Sequence, residues 1–250
     1  MKPKGMSEKH LAAIFDVDGT LITGDSLERI FIRYLWRYGE IGWRDLARTF
    51  ANGASEIITQ PKSLHQVIAS GKTYLRDKQA DRIRRIAADC FEQQIKLRLL
   101  PAAIARLKWH QECGHQVMLL SGTLEMLIEP LAASLGVTNF AATSIQTREN
   151  LLTGQINGLH VYGADKLHCL HKALSKPESG IIDLSRSFAY GNSYADRYLL
   201  AATGNPVAAN PDRRLRRFAE KRGWMIEDFT RSKSVNSPGI NNLNGISDCY

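Results

Sequence analysis

No run of about 18 consecutive apolar residues occurs, so nothing in the sequence reads as a membrane-spanning helix. The first ten residues, MKPKGMSEKH, are basic but lack an apolar centre, and no secretory signal is legible in them. The expected compartment is the cytoplasm. Cysteine is scarce: Cys90, Cys113, Cys169 and Cys249, with no C-x-x-C pair and no zinc-like spacing to the seven scattered histidines. That pattern excludes a disulfide framework and a structural zinc site, and reduced thiols in or near a core are expected. Internal repeats are missing too.

What is present is a globular composition. Hydrophobic residues make up 44% and charged residues 23% of 250 residues, which excludes wholesale disorder. The length allows one large domain, or one domain carrying an insert. Lys plus Arg number 33 against 25 Asp plus Glu, a formal charge of +8. This favours an anionic partner (nucleic acid, anionic lipid or a phosphorylated metabolite) without choosing among them. One basic cluster stands out: Arg213, Arg214, Arg216, Arg217, Lys221 and Arg222, interrupted by Leu215, Phe218 and Ala219. Its spacing reads as the solvated face of an amphipathic helix, with a phosphate-backbone contact as the alternative.

Short apolar runs ending in polar or glycine-rich turns recur at 11–18, 115–122 and 186–193, and more weakly at 140–144 and 206–210. They read as buried strands of a parallel sheet. Helical patterns separate them: PAAIARLKWHQEC, with Pro101 at its start and Gly114 past its end, then TLEMLIEPLAASL, KLHCLHKAL and PDRRLRRFAEKR. Alternating strand and helix predicts an α/β, doubly wound parallel sheet. From about Asp25 to Leu100 the alternation stops, and only helical stripes remain: Leu27, Ile30, Phe31, Tyr34 and Leu35, then Ile83, Ile86, Ala87, Cys90 and Phe91. The expected organisation is a core of 11–24 and 101–229, an all-helical insert of 25–100 above the end of the first strand, and flexible tails at 1–10 and 230–250.

Ligands of open parallel sheets bind at the carboxyl ends of the strands. Four polar signatures fall there: Asp16-Val17-Asp18-Gly19-Thr20, Ser121-Gly122-Thr123, Lys166 opening a helix, and Gly191-Asn192-Ser193-Tyr194-Ala195-Asp196. Two carboxylates two residues apart repel one another unless a divalent cation lies between them, and hard oxygen donors suit Mg2+. The Asn192 amide oxygen and the Asp196 carboxylate would complete the shell. A serine hydroxyl with free backbone amides makes a phosphate seat, and a lysine adds a point charge. Together the parts describe phosphoryl transfer, in which a carboxylate attacks phosphorus. Taken singly, each has a bland reading: a turn for Asp-x-Asp, a helix cap for Ser121, a surface residue for Lys166. DVDGT also resembles the start of a calcium loop, but Gly19 comes one residue early and Leu27 stands where the loop needs glutamate.

In order, these four pieces resemble the four motifs of the haloacid dehalogenase-like (HAD) hydrolase superfamily. The helical insert resembles its C1 cap. The closer likeness is to subfamily IB, the phosphoserine-phosphatase-like group, over residues 11–229. It is carried by FDVDGTLITGDS, GHQVMLLSGT, LLTGQINGLHVYGADK, SFAYGNSYADRYLL and NPVAANPDRRLRRFAEKRGW. The resemblance implies that Asp16 is the nucleophile and Asp18 the general acid/base, whose backbone carbonyl also binds Mg2+. It implies Ser121 and Gly122 as the phosphate seat, Lys166 as the cation steadying Asp16, and Asn192 and Asp196 as the rest of the metal site. Position 192 departs from the group's usual Asp. Asp25 stands where a glutamate contacts the substrate. The expected activity is Mg2+-dependent hydrolysis of a small phosphorylated metabolite. A phosphotransferase or lipid-monophosphate phosphatase is the enzyme alternative, and an anion- or nucleic-acid-binding module the non-enzyme one. No obligate nucleic-acid partner is expected, and the oligomeric state is open.

Overall fold

Four fully buried residues, Ala12–Phe15, form β1, about which the rest of the sheet is arranged. The structure, a computed structural model, describes residues 10–49, 72–175 and 180–231. The tails, expected to be flexible, lie almost wholly outside the described residues, as does Cys249. β1 pairs with β2 (Gln116–Leu124) on one side and β6 (Phe188–Gly191) on the other. β3 (Asn139–Thr143) flanks β2, while β7 (Asn205–Ala209) and β8 (Met225–Glu227) extend the other edge. The order is β3-β2-β1-β6-β7-β8, every pair parallel. The order of the chain reverses on either side of β1, so the crevice at its carboxyl end is the topological switch point.

The strand period of two divides the core in two. Ala13, Phe15, Leu119, Tyr190 and Val207 face one apolar cluster, and Ala12, Ile14, Leu120, Ala189 and Ala208 the other. Helices cover both faces. On the first lie α1 (Leu27–Arg37), α2 (Ala80–Cys90), α3 (Pro101–Glu112) and α4 (Glu125–Ser134), through Leu27, Ile83, Leu107 and Leu127. On the second lie α5 (Asp165–Leu174), α6 (Arg197–Ala201) and α7 (Arg213–Arg222), through Leu170, Leu199 and Leu215. Each fully buried Leu, Ile or Phe contributes about 1.5–3 kcal/mol.

Between Asp25 and Leu100 the described residues contain helices and 3-10 or π turns but no strand, and residues 43–49 are helical. The two ends of this stretch are tied together: the Thr23 N–H donates to the Arg98 carbonyl at 3.0 Å, and the Leu100 N–H to that of Leu21 at 2.9 Å. The insert therefore leaves and re-enters beside the end of β1.

An element that periodicity did not suggest is the antiparallel hairpin of β4 (Ile145–Arg148) and β5 (Leu151–Ile156). It lies outside the main sheet and holds the segment 72–80. The N–H groups of Lys72, Asp77 and Ala80 donate to Gly154, Leu152 and Asn150, and Leu152 donates back to Lys78. A second difference concerns β2, which runs on through Ser121 and Gly122 to Leu124, so that α4 begins only at Glu125. The pairing with β3 shifts register between Leu120 and Leu124 and resumes at Leu124 and Thr143. Ser121 is thus not a helix cap.

Candidate active site

Asp16 directly follows β1. Its N–H donates to the Tyr190 carbonyl at 2.9 Å, which extends the β1–β6 ladder and fixes where the carboxylate emerges. One Asp16 oxygen accepts from Thr20 Oγ1 at 3.0 Å, the other from Lys166 Nζ at 2.5 Å. Lys166 also donates to Asp196 at 2.6 Å. The lysine is only 3% exposed, so it is a buried bridge between two carboxylates and not a solvated surface group. Burial alone would lower its pKa; Asp16 and Asp196 outweigh that and raise it, so the ammonium is kept. Burial likewise pushes the Asp16 carboxyl up to about 7, against the pull of Lys166.

Asp18 turns the other way. One oxygen accepts the Leu27 N–H at 2.7 Å, at the start of α1, and the other the Thr123 hydroxyl at 2.5 Å. Asp18 thereby joins the helical insert to the end of β2. Burial raises its pKa, while the bonds from Thr123 and Leu27 lower it in part.

Ser121 is buried, and its Oγ accepts the Thr123 N–H at 3.1 Å. Gly122 donates no side chain: a Cβ there would stand 3.2 Å from the Val161 carbonyl and 3.6 Å from His160 Cε1. The His160 ring therefore borders the expected phosphate seat. Asn192 packs against Gly19, whose φ is +79°; a Cβ on Gly19 would overlap the Asn192 amide. Asp196 gives one oxygen to Lys166 and the other to the N–H and hydroxyl of Ser193, at 3.0 and 2.9 Å.

Asp16, Asp18, Asp196 and Lys166 thus meet at the switch point, with Ser121 joined through Thr123 to Asp18 and Asn192 through Gly19 to the Asp16–Thr20 turn. Among the described residues no group of three His, Cys, Asp or Glu side chains is arranged to hold a metal ion. The donors still fit a hard divalent ion. Three carboxylates against one ammonium leave negative charge unbalanced, and Asp16, the Asp18 carbonyl and Asn192 supply oxygen.

Asp25, the expected substrate contact, is paired with two arginines of the insert. It is exposed; its carboxylate accepts from Arg33 at 2.6 Å, with Arg29 at 3.7 Å, and that pairing lowers its pKa. Ser26 caps α1, so Asp25 precedes the helix and meets the arginines along its outer flank. Inside the first turn stands Glu28, which sequence reasoning passed over. It binds Lys72 at 2.5 Å and Tyr74 at 2.9 Å. Thr20, Thr123 and His160 were passed over as well. Thr20, Thr123 and His160 lay within the quoted stretches, whereas Lys72 and Tyr74 had no local signal.

The haloacid dehalogenase-like hydrolase family profile matches residues 13–201, so the chain belongs to that family of hydrolases. Its relatives include a phosphoserine phosphatase of Mycobacterium tuberculosis, 27% identical over 92% of this chain and 74% of that protein. Another is a histidinol-phosphatase of Neisseria meningitidis, 27% identical over 87% of this chain and 98% of that one. Among solved structures, a Bordetella pertussis protein of unknown function superposes with a TM-score of 0.74 at 24% identity, over 89% of this chain and all of that one. A phosphoserine phosphatase phospho-aspartyl analogue superposes at 0.58 and 18%, over 90% and 95%. At those identities the structures establish the fold.

Proposed function

We propose that the protein is a Mg2+-dependent phosphomonoesterase that hydrolyses a small-metabolite phosphate ester through an aspartyl-phosphate. The observation that carries this reading is the buried Asp16–Lys166–Asp196 bridge at the end of β1, with Asp18 bonded to the insert two residues on. A nucleophile needs to be held and aimed, and Lys166 with Thr20 does both for Asp16.

Asp16 attacks phosphorus while the bond to the leaving oxygen breaks, and Asp18 donates a proton to that oxygen. Asp18 then takes a proton from water, which attacks the acyl-phosphate, and phosphate leaves with Asp16 regenerated. The burial-raised pKa of Asp18 suits a group that must begin as an acid. Ser121 and the Gly122 amide seat the phosphoryl oxygens. Mg2+, held by Asp16, the Asp18 carbonyl and Asn192, would neutralise phosphoryl charge when bound. The core of 11–24 and 101–229 carries the chemistry. The insert of 25–100 excludes bulk water.

The relatives act on phosphoserine and, by name, on histidinol phosphate; both are small esters. The test is phosphate release from a panel of amino-acid, amino-alcohol, polyol, lipid and aryl monophosphates, with Mg2+ and with chelator. Turnover that chelator abolishes is expected. Silence across the panel with Mg2+ present overturns the reading.

A further inference from the structure

The released alcohol must lie on the side of Asp18, and there, among the described residues, the insert presents the carboxylate of Glu28. Glu28 follows Leu27, whose N–H is bonded to Asp18 at 2.7 Å, so it stands one residue from the group that protonates the leaving oxygen. Its two oxygens are held separately, Oε2 by Lys72 Nζ at 2.5 Å and Oε1 by Tyr74 Oη at 2.9 Å. Lys72 and Tyr74 come from the segment clasped by the β4–β5 hairpin, where the Lys72 N–H donates to Gly154. Glu28 thus joins the start of the insert to the segment that the hairpin holds.

Exposure distinguishes the two members of the ion pair. The Lys72 side chain is 1% exposed and that of Glu28 21%. A ligand arriving at the pair therefore meets the carboxylate, while the ammonium is sealed behind it. Each carboxylate oxygen has a second lone pair, so Glu28 can accept further donors without releasing Lys72 or Tyr74. Across from the insert, the His160 ring borders Gly122, and burial holds its imidazole down to about 4, uncharged near neutrality. It adds no cation.

Resting on the phosphomonoesterase reading, we propose that Glu28 selects the leaving group, and that the substrate is the phosphate ester of an amino alcohol bearing an ammonium and no carboxylate. An ammonium meets an accessible, pre-positioned carboxylate and forms a charge-assisted hydrogen bond. An amino-acid carboxylate instead meets like charge, and the cation bonded to Glu28 is buried behind it. A polyol brings donors but no charge. Lys72 and Tyr74 act through Glu28 and are positioning residues.

The experiment compares kcat/KM of the Mg2+-loaded protein for ethanolamine phosphate and histidinol phosphate with that for phosphoserine and glycerol 3-phosphate, and uses an aryl phosphate as reference. At least one amino-alcohol ester is expected to exceed both phosphoserine and glycerol 3-phosphate by tenfold or more. Glu28→Gln should raise KM for that ester about tenfold and change aryl phosphate turnover less than twofold, which also shows the variant to be folded. Equal or better turnover of phosphoserine or glycerol 3-phosphate by the wild type overturns the proposal, while aryl phosphate turnover leaves the phosphatase reading standing. Loss of aryl phosphate and amino-alcohol turnover in equal measure in a folded Glu28→Gln variant overturns the selector role. If the variant does not fold, the wild-type ranking decides. If no ester at all is hydrolysed, both readings fall together.

Discussion

At the scale of single residues, the site depends on charges that cannot be separated cheaply. Asp16→Asn should abolish phosphate release while leaving the fold intact, because an amide cannot form the acyl-phosphate; near-normal release by a folded variant would remove the covalent mechanism. Lys166→Met has a different consequence. The ammonium lies 2.5 Å from Asp16 and 2.6 Å from Asp196, and its loss leaves two adjacent buried carboxylates. Turnover should vanish, and folding stability without Mg2+ should drop by about 3 kcal/mol, the order expected for breaking a buried pair. Denaturant unfolding in chelator measures this, and an unchanged midpoint would mean that the bridge is not formed. Asn192 offers a gain. Hard cations prefer anionic oxygen, so Asn192→Asp should tighten Mg2+ by roughly 1–2 kcal/mol, limited by repulsion from Asp16 and Asp196. The Mg2+ concentration for half-maximal activity should fall; a constant or higher value would take Asn192 out of the metal shell.

At the scale of elements, the hairpin β4–β5 makes the insert one piece with the core. Four backbone hydrogen bonds link it to residues 72–80. The closest approach is at Gly154, whose φ is +76° and where a Cβ would lie 2.9 Å from Thr73 Cα. Both the conformation and the contact require glycine. Gly154→Val should therefore loosen the segment carrying Lys72 and Tyr74 without touching Asp16. Amide hydrogen exchange should quicken at 72–80 and not in β1, and KM should rise for esters whose leaving group reaches Glu28. Unchanged exchange at 72–80 would show that the hairpin does not hold the insert.

At the scale of the whole molecule, stability should depend on pH through a histidine that the proposed chemistry does not use. His110 in α3 is fully buried; its ring nitrogens lie 2.7 Å from His115 Nδ1 and 2.8 Å from Tyr190 Oη. Burial, with His115 and Arg106 as lesser causes, lowers its pKa from 6.5 to about 2. The sign follows from proton uptake. Above pH 6.5 neither the folded nor the unfolded chain protonates this group, and its contribution is fully present. Below it the unfolded chain binds a proton that the folded chain refuses, so stability falls by about 1.4 kcal/mol per pH unit, or about 2 kcal/mol by pH 5. Urea midpoints at pH 7.5 and 5 should differ accordingly, and His110→Gln should lessen the difference. Equal pH dependence in the two proteins would place the acid sensitivity elsewhere.

The sequence by itself determined the order of the chemistry. Strand periodicity and the Asp-x-Asp after LAAIF located β1 and its acids, because a buried parallel strand is a continuous apolar run and its end is where polarity begins. Pro101 and Gly114 bounded α3 for equally local reasons, and the stripes of α1 and α2 marked their buried faces. The hairpin β4–β5 escaped because, of its first strand, only Ile145 is buried; a half-exposed strand that pairs with the insert leaves little periodic trace. Only the tertiary structure decided that Asp25 faces Arg33 and that Glu28, three residues on, faces Lys72. Both carboxylates precede or open the same helix, and which of them turns inward depends on where the rest of the chain places a buried ammonium. A side chain's charge is local, but its partner is chosen by contacts that span, for Glu28 and Lys72, 44 residues of chain.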